Sequence, residues 1–488
     1  MANPKLFIFA IGGTGARVIK SLTMLLAAGI DIQASEVIPI MIDPHQTNED
    51  LRRTLALLNN YQTIYRRLND DNRQDFFKTK IQTLQESTDD KRLQNSFSFS
   101  LQNVDTQTFR DYIDYDNLNE TDKALASLLF SEKNLNTKMD IGFVGNPNIG
   151  SVVLNQFSES KEFGYFASNF RENDRIFIIS SIFGGTGAAG FPLILKNIRN
   201  VQHGEVANHA WVQKAKVGAV TVMPYFGVSP NKTTMIDKST FISKTRAALS
   251  YYEKNVNPSL NALYYIGDTH TKDYNNDPGG GGQRNDAHFV ELASALSIVD
   301  FMAIPDASLS GQPTFREFGI REDKEMLTFP MLGVPTQQLL KTRLTQYYFF
   351  VQYLKNNLNE QVNKKPSPAP FASSEPQLTS SFLTADFYRN NLSDFNQSFE
   401  IWLSEMAKNK RGFKPFELET PQYAEMIAGV LAKKSLFGGR FDHHDFTKAL
   451  NETDKSLKNA ASSERKLISV FFKATEKLLR DNFDYFKN

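Results

Sequence analysis

Apolar residues recur along the chain with two spacings, and their order predicts the architecture. Residues 6–11, 37–42, 176–179, 217–223 and 263–266 are short, nearly continuous apolar runs, which is how strands buried on both faces of a parallel sheet read. Residues 139–144 form a further candidate strand. Between these runs the spacing lengthens to that of helices. Val18, Ile19, Leu22 and Leu25 mark a helix from Ala16 to about Ala28, and helical segments follow from Ala188 to about Arg199, at 241–252 and at 287–303. The last of these carries Leu292, Leu296 and Val299 along one face. Strands alternating with helices predict an α/β fold with a doubly wound, mostly parallel sheet.

From Phe329 the strand-like runs stop. Residues 336–362 (with Leu339, Leu340, Leu344 and Tyr347), 400–406, 424–436 and 465–483 read as helices. The expected organisation is therefore an α/β domain at 1–303 that includes the long helix, a connecting loop at 304–328, and a mainly helical C-terminal domain at 329–488. That last domain carries a Pro/Ser-rich linker or exposed loop at 364–376. Within the first domain, about 50–136 is polar and charged. Leu51, Leu55, Leu58 and Tyr61 fall at helical intervals there, with Arg52, Arg53, Arg66 and Arg67 on other faces, so it reads as a solvated helical insertion.

Composition narrows the function classes. A chain of 488 residues exceeds what one hydrophobic core usually organises. A formal net charge of +1 gives no bulk electrostatic case for nucleic acid or an anionic membrane. The absence of cysteine excludes disulfides, thiolate metal sites and a cysteine nucleophile. No apolar run has the length of a membrane span, and the chain starts directly in a strand-like run, so a soluble cytoplasmic protein is expected.

The chemistry is expected where strands end. Residues 6–11 run into Gly12, Gly13, Thr14 and Gly15, and residues 176–179 lead to Gly184, Gly185, Thr186 and Gly187. A strand, a small-residue turn and a helix N-terminus together form an anion site, because bare backbone N–H groups and the helix dipole both favour negative charge. The second strand ends on Asp43, and the stretch Gly145-Asn146-Pro147-Asn148-Ile149-Gly150 adds a third small-residue turn, with Ser151 placed to cap the helix that follows. The first βαβ unit alone also fits a dinucleotide-binding unit, with Asp43 holding ribose hydroxyls, although Ala10 stands where the first glycine of that fingerprint belongs. Three glycine turns at one sheet edge suit a multiply charged phosphate chain better than a single pyrophosphate. Asp442, His443, His444 and Asp445 carry metal-binding residue types, but adjacent histidines diverge on a helix and no metal role is assigned. Four consecutive glycines at 279–282 lack a preceding strand and read as a loop.

In their order, these stretches resemble the tubulin/FtsZ superfamily over roughly residues 6–303, nearer to FtsZ than to eukaryotic tubulin. Residues 174–188 (DRIFIISSIFGGTGA) are similar to the family's strand and signature loop, Gly145 to Gly150 to its GNPxxG phosphate loop, residues 38–43 to the strand ending in a nucleotide-proximal aspartate, and residues 221–225 (TVMPY) to its strand closing on Pro-Phe. The resemblance implies a bacterial, GTP- or GDP-binding protein with magnesium. Gly184, Gly185, Thr186 and Gly187 would hold phosphates, and Gly12, Gly13, Thr14 and Gly15 would face the α and β phosphates. Gly145, Asn146 and Gly150 would lie near the γ phosphate, and Asp43 near the metal. Asp268, at a strand tip, would pair with the guanine edge. Asn285, His288 and Glu291 would begin the helix that packs against the base.

The same resemblance implies head-to-tail assembly into filaments, with any GTP hydrolysis at subunit interfaces. Departures from the family pattern bear on that. Phe183 replaces the first signature glycine, Ala188 and Ala189 replace its last two residues, and the acidic loop expected after the long helix has no clear match. Asp306 and then Asp300 are the nearest carboxylates to it. The alternative is a nucleotide-controlled interaction protein that does not polymerise and binds partner proteins through 50–136 or the C-terminal helices.

Overall fold

The computed structural model describes residues 3–44, 48–68, 74–99, 101–102, 104, 107–139, 143, 146–202, 206–229, 238–268, 273–275, 285–318, 325–409, 411–434, 440–457 and 460–487. The apolar runs form strands because nothing in them needs water, and each strand feeds a helix. In chain order these are β1 (Lys5–Ile11), α1 (Gly12–Ala27), β2 (Glu36–Ile42), α2 (Glu49–Leu68), β3 (Ser98–Phe99), α3 (Pro147–Leu154), β4 (Arg175–Ser181), α4 (Gly185–Asn200), β5 (Lys216–Val222), α5 (Lys238–Asn255), β6 (Ala262–Ile266), α6 (Phe289–Ala303) and β7 (Thr314–Phe318). Among the described residues, seven strands make one sheet in the order β3-β2-β1-β4-β5-β6-β7. All pair in parallel. The doubly wound reading of the sequence holds.

Strand order fixes where a ligand can sit. The chain steps outward from β1 to β3, returns to β4 on the other side of β1, and continues outward to β7. The reversal lies between β1 and β4, in register from Leu6 opposite Arg175 to Ala10 opposite Ile179. In open α/β sheets the crevice outside the strand C-termini at such a reversal is the binding position. Because β1→β2 and β4→β5 move in opposite directions, right-handed crossovers place α1 and α4 on opposite faces. On one face α1 packs against α2 and α6, and on the other α3 packs against α4.

Several sequence expectations need correction. Residues 304–328 are not only a connection, since β7 lies within them as the edge strand beside β6. Its sequence, TFREF, is polar enough for an edge and hid it from a search for apolar runs. The insertion at about 50–136 is not simply solvated. In α2, Leu51, Leu58, Tyr61 and Ile64 are wholly buried, and so are Phe76 and Phe77 after it. Residues 140–142, 144 and 145 lie outside the described residues, so the candidate strand at 139–144 is not described as one.

The C-terminal part is built on α7 (Val334–Tyr353), α8 (Ser393–Lys408), α9 (His443–Ser456) and α10 (Ser463–Asn482). The many phenylalanines weld this part to α2 and the segment after it. Phe76 meets Tyr347 and Phe472 with ring centroids 5.1 Å apart in each case, and Phe77 meets Phe395 at 5.2 Å. Such edge-on aromatic contacts add about 0.5–1.5 kcal/mol each beyond area burial. The stretch 364–376 is tied down, with Phe371 fully buried and its N–H donating to Asn451 Oδ1 at 2.9 Å. Residues 424–436 do not make the expected helix. Their described part holds only a short turn at Tyr423–Glu425, and Gly429 at φ 73° takes a left-handed conformation that a helix does not continue through.

Candidate functional site

Both glycine turns are themselves the first turns of helices. Gly12–Gly15 open α1 and Gly185–Gly187 open α4 after Gly184, and neither helix carries a side chain that caps its N-terminus. First-turn N–H groups have no partner within a helix, which suits them to an anion. The two turns meet at the β1/β4 reversal. A β-carbon on Gly12 (φ 68°) would lie 3.5 Å from Thr186 Cβ. Each turn also sits directly on its strand, since a β-carbon on Gly15 would lie 2.6 Å from the Ala10 carbonyl carbon and one on Gly187 would lie 2.7 Å from Ser181 O. Glycine is required at both places by backbone contact.

The third turn joins them. Pro147 occupies the first position of α3, and Asn146 rather than Ser151 is its cap, accepting from the Asn148 N–H at 3.2 Å. A β-carbon on Gly150 would lie 2.8 Å from Ala189 Cβ, so α3 stands against the first turns of α4. Gly145 lies outside the described residues. Asp43 follows β2 directly and is buried. Asn48 approaches the first turn, its Nδ2 lying 3.3 Å from where a Gly13 β-carbon would stand.

Beneath the first turn lies a buried charge cluster centred on Arg17. Its Nε donates to Glu291 Oε1 at 2.6 Å and its Nη1 to Asp50 Oδ2 at 2.8 Å. Its Nη2 donates to Thr14 Oγ1 at 3.2 Å and to the Tyr225 hydroxyl at 3.1 Å. Tyr225 in turn donates to Glu291 Oε1 at 2.5 Å. Burial pulls the Arg17 pKa down, but Tyr225, Glu291 and Asp50 outweigh it and hold the guanidinium firmly protonated. Burial pushes the Asp50 carboxyl up, against the pull of Arg17. Nothing in the spacing of the sequence pointed to this cluster. The one available signal was a pair of charges, Arg17 and Lys20, inside an otherwise apolar helix.

Four residues expected near the base are engaged within the protein itself. Glu291 and His288 are not on an open pocket wall. Glu291 is the carboxylate of Arg17, and His288 caps α6, its Nδ1 accepting from the Val290 N–H at 3.0 Å. Asp268 is not open at the sheet edge either, since its side chain is fully buried and Arg411 Nε donates to Oδ1 at 3.0 Å. Asn285 uses its backbone N–H to donate to Asp50 Oδ1 at 3.3 Å.

Asp306 and Asp300 lie at the other end of the sheet. The helix α6 runs antiparallel to the strands, from His288 beside Tyr225 down to the start of β4, where Arg175 donates to the Phe301 carbonyl and to Asp306 Oδ1 at 2.7 Å each. Asp300 accepts from the Tyr264 hydroxyl at 2.6 Å. Neither is brought to the glycine turns of the same chain. In the C-terminal part, ligating atoms of Asp442, His443 and His444 lie within 4.8 Å of one another. There Asp442 already accepts from the His444 and Asp445 N–H groups as the cap of α9.

Comparison with known proteins adds little to this geometry. No family model matches the chain, and no curated protein matches it. Among solved structures, CetZ2 from Haloferax volcanii, in a GTPγS-bound protofilament, is similar over 62% of this chain and 61% of its own, at 12% identity and a TM-score of 0.30. CetZ from Methanosaeta thermophila strain DSM 6194 is similar over 62% of this chain and 52% of its own, at 13% identity and a TM-score of 0.25. The match thus spans less than two thirds of either neighbour.

His288 makes the site's stability pH-dependent. Burial first, then Arg17 and Arg411, push its pKa down to about 4. The unfolded chain therefore binds a proton at His288 that the folded chain refuses. This contribution is complete above about pH 6.5 and is lost as pH falls towards 4, a difference on the order of 3 kcal/mol across that window. Asparagine caps helices well and does not titrate. His288→Asn should shrink the loss of unfolding free energy between pH 7.5 and 5 by about 1–2 kcal/mol. Urea unfolding at the two pH values measures this, and an unchanged loss would acquit His288.

Proposed function

We propose that the chain binds GTP or GDP with magnesium in the crevice between the two glycine turns and assembles head to tail in the manner of the tubulin/FtsZ superfamily. The observation that carries the reading is the contact of the Gly12 turn with Thr186 at the β1/β4 reversal. It sets two uncapped helix N-termini side by side, with α3 against one of them, and such a cradle favours a chain of phosphates over a single charge. In this reading the Gly184–Gly187 and Gly12–Gly15 turns hold the phosphates, Gly145, Asn146 and Gly150 approach the γ phosphate, and Asp43 supports the metal. One carboxylate together with phosphate oxygens and water is a donor set that suits magnesium. The metal, when bound, would neutralise charge on the phosphates.

A head-to-tail contact is heterologous and grows into open filaments unless it closes into a ring. Asp306 lies at the sheet end opposite the phosphate turns, where a neighbouring copy's nucleotide would stand in such a filament. Its pairing with Arg175 engages the carboxylate that a neighbour's nucleotide would need, which favours the second reading, a nucleotide-controlled interaction protein that does not polymerise. Acid extraction of purified protein should release GDP or GTP, and recovery of NAD would sink the proposal. Sedimentation with GTP separates the two readings. Filaments that turn over GTP equally well in Asp306→Asn remove Asp306 from any mechanism.

A further inference from the structure

The charge cluster does not end at the α/β domain. One turn along α1 from Arg17 stands Lys20, and one turn along α2 from Asp50 stands Arg53. Both point to one carboxylate of the C-terminal part. Glu405, on α8, accepts from Lys20 Nζ at 2.9 Å and from Arg53 Nη2 at 2.5 Å. It also accepts from the Ala287 N–H at 3.1 Å, while Asn409 Nδ2 of the same helix end donates to the Ala287 carbonyl at 2.8 Å. The segment that enters α6 is thus held from α8 on one side and by Asp50 on the other. Trp402, also on α8 and fully buried, donates its Nε1–H to Ser21 Oγ of α1 at 3.2 Å.

We propose that Glu405 is a positioning residue for the first glycine turn: it braces Lys20 and Arg53 so that Arg17 keeps its hold on Thr14, and nucleotide affinity thereby depends on the docking of the C-terminal helices. This rests on the nucleotide reading of the site. Three cations (Arg17, Lys20, Arg53) balance three carboxylates (Asp50, Glu291, Glu405) in a largely buried region. Burial alone would raise the Glu405 carboxyl, but Lys20 and Arg53 hold it below its ordinary value, so it stays charged. Without that charge, Lys20 and Arg53 lose their shared partner. The nearest carboxylate left to Arg53 is Asp50, already within 4.0 Å of it. A buried cation without a partner is costly, so Arg53 draws on Asp50. Asp50 then yields its hold on Arg17 Nη1, and Arg17 its hold on Thr14.

The test uses the full chain and two variants. Glu405→Gln keeps shape and removes charge, while Arg53→Met combined with Glu405→Gln also removes the cation that would turn to Asp50 and restores the balance of charges. Titration with a fluorescent GDP analogue should show about tenfold weaker binding in the single variant, a size usual for coupling between sites. The double variant should bind within about twofold of wild type, because no orphaned Arg53 then draws Asp50 away from Arg17. Hydrogen exchange of the amides from Gly12 to Arg17, followed without nucleotide, should be faster in the single variant and return towards wild type in the double. Unchanged affinity and exchange in Glu405→Gln would overturn the proposal. So would a double variant as weak as the single one, which would mean general loss of packing. A wild-type protein that binds no nucleotide overturns the nucleotide reading, and the exchange comparison then decides on the brace by itself.

Discussion

Arg17→Met should unfold at a markedly lower temperature than the wild type and should lose the proposed nucleotide binding. The guanidinium holds four groups from four places in the chain: Thr14 in the first glycine turn, Asp50 on α2, Tyr225 after β5 and Glu291 on α6. Methionine fills much of the volume but supplies no charge, which leaves Asp50 and Glu291 buried without their cation. Breaking a buried ion pair from one side typically costs about 3–5 kcal/mol. Arg17→Lys should rescue little, because an ammonium is a point charge and cannot reach four acceptors in a planar fork. Adding Glu291→Gln to Arg17→Met should recover part of the stability, since one orphaned charge goes. It should not recover binding, because Thr14 stays unheld. Differential scanning calorimetry and nucleotide titration read the two effects. A variant with wild-type melting and affinity would show that the cluster is incidental to the site.

Gly187→Ala is the second large effect, and it acts on the other turn. A β-carbon there meets backbone on two sides, 2.7 Å from Ser181 O and 2.9 Å from Ser181 N. Strand β4 is central in the sheet and cannot give way, so α4 must shift and take Thr186 away from Gly12. The expected result is loss of measurable nucleotide binding in a protein that still folds at low temperature. Gly164→Ala provides the control. It lies in a helix where a β-carbon meets nothing within 4 Å. Alanine there should stabilise by about 0.5–1 kcal/mol and leave affinity unchanged. If Gly187→Ala binds nucleotide as the control does, the α4 turn is not part of the site.

The small-residue turns of the candidate site are legible residue by residue. Gly12–Gly15, Asp43, Asn146, Gly150 and Gly184–Gly187 were picked out because short-range features mark them: an apolar run, a small-residue turn, then helical spacing. The structure sets the described ones at one sheet edge, around the β1/β4 reversal. Asp268, His288 and Glu291 stand out by position at a strand tip or helix start; Asp268 and Glu291 each have a buried partner far away in sequence, and His288 caps its own helix. The strand β7 was missed because an edge strand needs apolar residues on one face only. The depth of α2 was missed because an arginine that snorkels or pairs, such as Arg53, reads in sequence like an exposed one.

The sequence by itself determined the local pieces. It set which runs are strands, which turns lack side chains, and therefore which backbone groups can face an anion, since these follow from the period of apolar residues and from the missing β-carbon of glycine. It could not determine the partners of the charges. Arg17 lies 274 residues from Glu291, and Lys20 lies 385 residues from Glu405. No local rule of period or propensity links such positions. Only the packing of α1 between α2, α6 and α8 brings them within 3 Å. Burial then makes each pairing obligatory, because a charge removed from water must find its opposite.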